Sequence, residues 1–229
     1  MKTTFLPIDH EAFDSLTSEA RYWVGFLMAD GCLTLAKRTR KSGKTVFYKM
    51  IALNLSVKDV THIRRFREFL KSKHKITVYT YNTNFGRTTQ ARFAFISPSI
   101  WHRLLNLGVK PRKSKGCSID DSLAVDRDFW RGIIDGNGSV YISRSGKTKV
   151  PFIQLCACSK LAEQFKNYVK KLTGCTYAIS KTSSQFCFTV KCNGWNAYCV
   201  IKTLYKDANV ALKRKQKTAN QIMEVSLVD

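Results

Sequence analysis

Acidic residues are scarce in this sequence: 16 Asp and Glu stand against 39 Lys and Arg among 229 residues, a net charge of +23 at neutral pH. A charge that large opposes compaction by self-repulsion and calls for a polyanionic partner. Long apolar runs are missing as well. None approaches the roughly 18–20 residues that a membrane-crossing helix needs, and Met1-Lys2-Thr3-Thr4 does not open a signal peptide. The sequence therefore predicts a soluble, intracellular protein. Its eight cysteines include Cys156-x-Cys158 but no Cys-x-x-Cys pair and no nearby His, which argues against zinc and for reduced thiols. Cys156, Cys158, Cys187 and Cys199 fall on strand or helix patterns and read as small core residues. There is no Walker loop, and Gly136-x-Gly138 lacks the third glycine of a dinucleotide fingerprint. His10, His62, His74 and His102 are scattered without ligand spacing and read as surface or phosphate contacts, and no Ser or Cys nucleophile has a recognisable base partner.

What is present is a foldable chain. Hydrophobic residues make up 44% of it, which excludes a disordered polycation. The charge is spread: 22 basic and 7 acidic residues lie in positions 1–115, 17 and 9 in 116–229. It is neither a detachable tail nor a stripe on an amphipathic membrane-surface helix. Much of it sits in period-two stretches such as Lys44-Thr-Val-Phe-Tyr-Lys49 and Lys75-Ile-Thr-Val-Tyr-Thr-Tyr81, the pattern of half-buried strands. Basic strands with interleaved aromatics point to nucleic acid as the partner.

The chain also repeats itself. Tyr22-Trp-Val-Gly-Phe-Leu-Met-Ala-Asp-Gly31 has a counterpart in Phe129-Trp-Arg-Gly-Ile-Ile-Asp-Gly-Asn-Gly138. After each come a strand pattern, a basic turn containing Gly, a second strand, a helix at 60–70 or 161–172, a hairpin, and a last helix from Ser99 or Trp195. The hairpins are expected at 76–81 with 91–96 and at 176–181 with 186–191. Each repeat reads helix, two strands, helix, two strands, helix, with the boundary in Lys110-Pro-Arg-Lys-Ser-Lys-Gly116 and the acidic Asp120-Asp121 stretch. Two domains follow, 1–115 and 116–229. The first helix carries no charge between Tyr22 and Ala29, and Gly25, like Gly132 in the second, offers a bare patch for close helix packing. The simplest geometry packs the two helices on each other at a pseudo-twofold axis, with Asp30 and Asn137 side by side at their C-terminal ends.

A carboxylate at a helix C-terminus faces the negative end of the macrodipole, and a second oxygen donor beside it favours a hard divalent cation, with Mg²⁺ the default near phosphates. The carbonyls of Ala29 and Gly136 could add ligands. Taken singly, each motif reads as an ordinary helix C-cap before Gly; their repetition on so basic a chain favours the metal site.

Trp23–Gly31 and Trp130–Gly138 resemble the two signature helices of single-chain LAGLIDADG homing endonucleases, and the order of elements in both repeats matches that family's αββαββα unit. The resemblance implies an α+β fold with two four-stranded antiparallel sheets forming a basic saddle over double-stranded DNA, and signature helices packed at the repeat interface. It implies a monomer that cleaves a long asymmetric DNA site by metal-dependent hydrolysis with Mg²⁺, for which Ca²⁺ or Mn²⁺ can substitute in vitro. Asp30 matches the family's catalytic acid, and Lys113 and Lys215 match its active-site lysines. The chain departs from the family at Asn137, where an Asp or Glu is expected. An amide offers one neutral carbonyl oxygen where a carboxylate offers two charged ones. Asp135 cannot simply replace it, since two residues along a helix is roughly 200° around, on another face. The departure suits an engineered trap for an uncleaved complex, a natural nickase, or a chain that binds without cutting. A DNA-binding regulator and an intron-RNA maturase are the alternatives on the same fold.

In a two-residue period after Gly31, Thr34, Arg38 and Arg40 would face the DNA, joined by Tyr48, Asn54, Thr77, Tyr79, Tyr81 and Arg92. The second repeat would use Tyr141, Ser143, Lys147, Gln154 and Lys181. Arg reads guanine and Asn or Gln adenine through paired hydrogen bonds, while lysines mainly hold phosphates. The opposite face, with Leu33, Leu35, Phe93, Phe95, Phe186 and Phe188, is expected to be core.

Overall fold

The computed structural model describes residues 6–40, 42–84, 86–111, 119–145, 148–184 and 186–225. Two compact units emerge, Met1–Leu16 with Asp30–Pro111 and Thr17–Ala29 with Arg112–Asp229. The first signature helix thus belongs with the second repeat's body.

The first unit is a four-stranded antiparallel sheet backed by helices. Its strands are β1 (Gly31–Thr39), β2 (Thr45–Ser56), β3 (Ile76–Thr83) and β4 (Gly86–Ile96), in the spatial order β1-β2-β4-β3. Alternation does the sorting, because successive side chains point to opposite faces. Leu33, Ile51, Leu53, Ala91, Phe93 and Phe95 fall on one face and are buried. Helices α2 (Val60–Phe69) and α3 (Pro98–Asn106) cover that face with Ile63, Phe66, Ile100 and Leu104. Phe66 meets Phe93 edge to face at 5.8 Å, a pairing worth about 0.5–1.5 kcal/mol beyond its burial. Ser97 starts α3 by accepting the Ile100 amide at 3.3 Å, with Pro98 in the first turn, where its missing N–H costs nothing. Residues 7–10 strap the end of α2: the Asp9 amide donates to the Leu70 carbonyl, and the Lys73 amide to that of Pro7.

The second unit repeats the plan with β5 (Gly138–Ser145), β6 (Thr148–Ala157), β7 (Ile179–Lys181) and β8 (Phe188–Asn193), ordered β5-β6-β8-β7. Ile153, Leu155, Val190 and Cys192 face α6 (Ser159–Thr173) and α7 (Gly194–Tyr205), which contribute Phe165, Val169, Val200 and Leu204. The unit also contains α1 (Ser18–Ala29), the short α4 (Asp121–Ala124), α5 (Arg127–Asn137) and α8 (Lys213–Val225). Helix α8 goes beyond the repeat read from the sequence.

Four expectations about burial need correction. Leu35 keeps the core-side parity, but it lies on the edge strand β1 opposite Lys49 and is exposed. Phe186 precedes β8 and lies in a turn, also exposed, while Phe188 is half-buried. Cys156 shares the helix-free face with Gln154; it and Cys158, Cys187 and Cys199 are only half-buried, and Cys192 is the buried thiol among the described residues. His62 is buried on the inner face of α2, 3% exposed, rather than displayed at the surface.

Candidate nucleic-acid-cleaving site

Helices α1 and α5 meet backbone to backbone. A Cβ on Gly25 would lie 2.1 Å from the Phe129 carbonyl oxygen, and one on Gly132 2.1 Å from that of Tyr22. Their N-terminal ends are joined as well: the Ser18 hydroxyl donates to Asp128 at 2.7 Å, and Arg21 pairs with Asp126 at 3.3 Å. The helices therefore run in the same direction and leave the crossing on the same side, α1 ending at Ala29 and α5 at Asn137. Asp30 follows Ala29 directly and is half-buried, Asn137 is exposed, and the Gly136 backbone is half-buried.

The last turn of α5 is held by buried polar groups. Asp135 is fully buried and accepts from the Tyr22 hydroxyl at 2.7 Å, the Tyr205 hydroxyl at 2.7 Å and the Leu212 amide at 2.6 Å. Burial raises its carboxyl above the ordinary carboxylate range against the pull of those donors and of the Lys215 charge. The same burial, together with the neighbouring carboxyl, pushes the Tyr22 and Tyr205 phenols well up. One turn earlier, Arg131 is fully buried; it bonds Asp128 at 2.6 Å and the carbonyls of Val210 at 2.8 Å and Leu204 at 3.0 Å, with its guanidinium over the Tyr22 ring.

Lys215, expected at an active site, is 5% exposed and turned inward. Its ammonium donates to the carbonyls of Ile134 at 2.6 Å, Asp135 at 2.7 Å and Gly138 at 2.6 Å. Lys113 and Lys147 lie outside the described residues. The Tyr22–Asp135–Tyr205 group and buried Arg131 were missed in the sequence, although two charged residues within the otherwise apolar run Phe129–Gly136 are a visible signal.

The helix-free sheet faces carry most of the expected recognition residues. Thr34, Arg38, Tyr48 and Asn54 share one face of the first sheet with Thr77, Tyr79, Tyr81 and Arg92, and Asn54, Arg92 and Thr77 form one cross-strand row. Tyr79 stacks on Tyr81 and donates to Gln90 at 3.0 Å. Arg40 lies just past the end of β1 and is exposed. In the second sheet Tyr141, Ser143 and Gln154 share a face, Tyr141 stacks on Phe152 at 5.1 Å, and the Lys191 ammonium sits over that ring. Lys181 is the exception. It pairs with Phe188 on the core-side parity, and its neighbour Ser180, opposite Thr189, takes the helix-free face. A one-residue difference in register exchanges the faces.

No protein-family model matches the sequence, and no curated protein sequence matches it either. Solved structures do. The LAGLIDADG homing endonuclease I-GzeII in complex with its DNA target aligns over 94% of this chain and 94% of its own, with TM-score 0.62 at 10% identity. I-LtrWI, of the same family and bound to target DNA, aligns over 96% and 92%, with TM-score 0.62 at 10% identity. I-SmaMI, bound to uncleaved DNA in the presence of calcium ions, aligns over 93% and 92%, with TM-score 0.63 at 13% identity. The likeness is one of fold. This chain has the two-repeat α+β fold of the LAGLIDADG homing endonucleases, its two signature helices packed through Gly25 and Gly132.

Proposed function

We propose that the protein is a site-specific endonuclease that binds a long, asymmetric double-stranded DNA target as a monomer and hydrolyses phosphodiester bonds with a divalent metal. The observation that carries the reading is the parallel crossing of two signature helices that end, on one side, in Ala29-Asp30 and Gly136-Asn137, in a chain of net charge +23. The donors there are all oxygen: the Asp30 carboxylate, the Asn137 amide oxygen, and the Ala29 and Gly136 carbonyls. That set suits Mg²⁺, which keeps most of its waters and binds through one or two carboxylates plus phosphate oxygens. Bound there, the ion would supply a hydroxide-like water and stabilise the leaving oxygen.

The protein's own residues do the rest. The helix-free faces hold the duplex, and Arg38, Arg92, Asn54 and Gln154 are the residue types that would read base edges. Different residues in the two repeats read different half-sites, which makes the target asymmetric. Asn137 presents a neutral oxygen where a charged one would hold the ion, so the second half of the site cuts poorly and this chain acts as a nickase or a binder. The test compares the protein with its Asn137→Asp variant on a randomised duplex library, with Mg²⁺ and with Ca²⁺, and sequences the broken ends. Staggered Mg²⁺-dependent cuts by the variant, with nicks or no cuts from the parent, support the proposal. If neither cuts while both enrich one asymmetric sequence, the protein is a DNA-binding regulator instead.

A further inference from the structure

The last four carbonyls of a helix lack partners within it, and the last turn of α5 has no basic residue of its own. The cation comes from α8. The Lys215 ammonium reaches the carbonyls of Ile134, Asp135 and Gly138 at 2.6–2.7 Å, and the Gly138 amide closes on the same Ile134 carbonyl. An ammonium has three protons to donate, and three carbonyls of this one turn accept from it. Those carbonyls lie on both sides of Asn137 in the chain, and that of Gly136 is not one of them.

The opposite side of the turn is fixed from the same place. Leu212, whose carbonyl accepts the Lys215 amide at 2.9 Å, gives its own amide to the Asp135 carboxyl at 2.6 Å. One short stretch, 212–215, therefore grips Asp135 by its side chain and by its carbonyl. Gly138 completes the clamp, since a Cβ there would lie 2.8 Å from Ile134 Cα.

We propose that Lys215 is a positioning residue, whose ammonium locks the last turn of α5 and so sets where Asn137 and the Gly136 carbonyl present their oxygens. It acts through that turn and exchanges no proton with substrate. The inference rests on the endonuclease reading for its consequence, but its geometry is testable without DNA.

The experiment replaces Lys215 by Met, with Lys217→Met, an exposed lysine of α8, as control. Amide exchange is followed by NMR. Hydrogen bonds to charged groups imply exchange about 10–100-fold faster at Gly138 in Lys215→Met, with no change in Lys217→Met. Unchanged exchange at Gly138 overturns the proposal. Should Lys215→Met fail to fold, Lys215→Gln, which keeps two donors, should give a smaller acceleration at the same amide, and none would again overturn it.

The second readout uses the Asn137→Asp background with strand-resolved cleavage. Lys215→Met should slow the strand whose cutting Asn137→Asp creates by about tenfold or more, leave the other strand alone, and not shift the pH–rate profile. A shifted profile would make Lys215 the acid or base itself and refute a positioning role. If no variant cuts or binds DNA, the endonuclease reading fails while the exchange data still decide the role of Lys215.

Discussion

Helices α1 and α5 occupy equivalent places in the two repeats and cross at equivalent glycines, yet they are built from different material. From Tyr22 to Met28, α1 is buried and uncharged; α5 has Arg131 where the repeat puts Val24, and Asp135 where it puts Met28, both fully buried. The contrast separates two jobs. Crossing needs only bare backbone, which Gly25 and Gly132 supply. The charges of α5 touch α1 only at Tyr22 and otherwise reach beyond the crossing: Arg131 to the carbonyls of Leu204 and Val210, Asp135 to Tyr205 and Leu212. They fasten α5 to α7 and to the approach of α8. A buried ion pair is weak evidence for stability in itself, so here its use is to fix a location, the turn that ends in Asn137.

The strongest way to break the comparison is to attack what the helices share. Gly25→Ala or Gly132→Ala would put a methyl group 2.1 Å from a backbone carbonyl oxygen, and backbone cannot turn aside as a flexible side chain would. Each variant is expected to lose about 3 kcal/mol or more, the upper end of overpacking costs, read as a lower denaturant midpoint at constant slope. The double variant should lose less than the sum, because the first substitution has already parted the helices. A loss under about 1 kcal/mol in either single variant would mean that the crossing tolerates separation.

The next test makes α5 resemble α1. Asp135→Met copies Met28 and leaves the Tyr22 hydroxyl, the Tyr205 hydroxyl and the Leu212 amide without their acceptor. The expected cost is about 3–5 kcal/mol, most of it the penalty of buried donors left unpaired. Adding Tyr22→Phe and Tyr205→Phe should recover at least about 1 kcal/mol, a positive coupling in a mutant cycle. If the phenylalanines recover nothing, the donors find other partners and the network fixes α5 less than its geometry indicates.

How far the sequence revealed this arrangement follows from which rule each feature obeys. The four-stranded sheets were legible because stretches such as Lys44–Lys49 and Lys75–Tyr81 alternate with period two and the same order of elements follows both signature helices. The glycine crossing was legible because Gly25 and Gly132 recur at one place in a repeat. Leu35 misled because parity reports which face a residue takes and not whether an edge strand is covered there, and Phe186 because it lies in the turn before β8. Lys181 misled for a different reason: β7 is only Ile179–Lys181, too short for its pattern to fix the register. The inward turn of Lys215 depends on where α8 brings it against α5, a contact across about 80 residues that no local pattern encodes.

The smallest expected effect tests burial itself as the source of rigidity in the α5 network. Asp9 and Lys71 form an ion pair of similar length, 2.9 Å, but the Lys71 side chain is 79% exposed. The Lys71 bond, aided by the Glu11 amide, holds the Asp9 carboxyl below its ordinary range. A depressed carboxyl contributes stability above its unfolded pKa and loses it as the pH falls through the folded value. Asp9→Asn should therefore cost under about 1 kcal/mol at neutral pH, with the difference from the parent shrinking toward zero in acid and in high salt. Unfolding curves for both proteins at neutral and acidic pH, with and without about 1 M salt, check the sign and the size. A loss approaching that of Asp135→Met would show that exposure makes no difference between the two sites, and the contrast drawn from α5 would lose its physical basis.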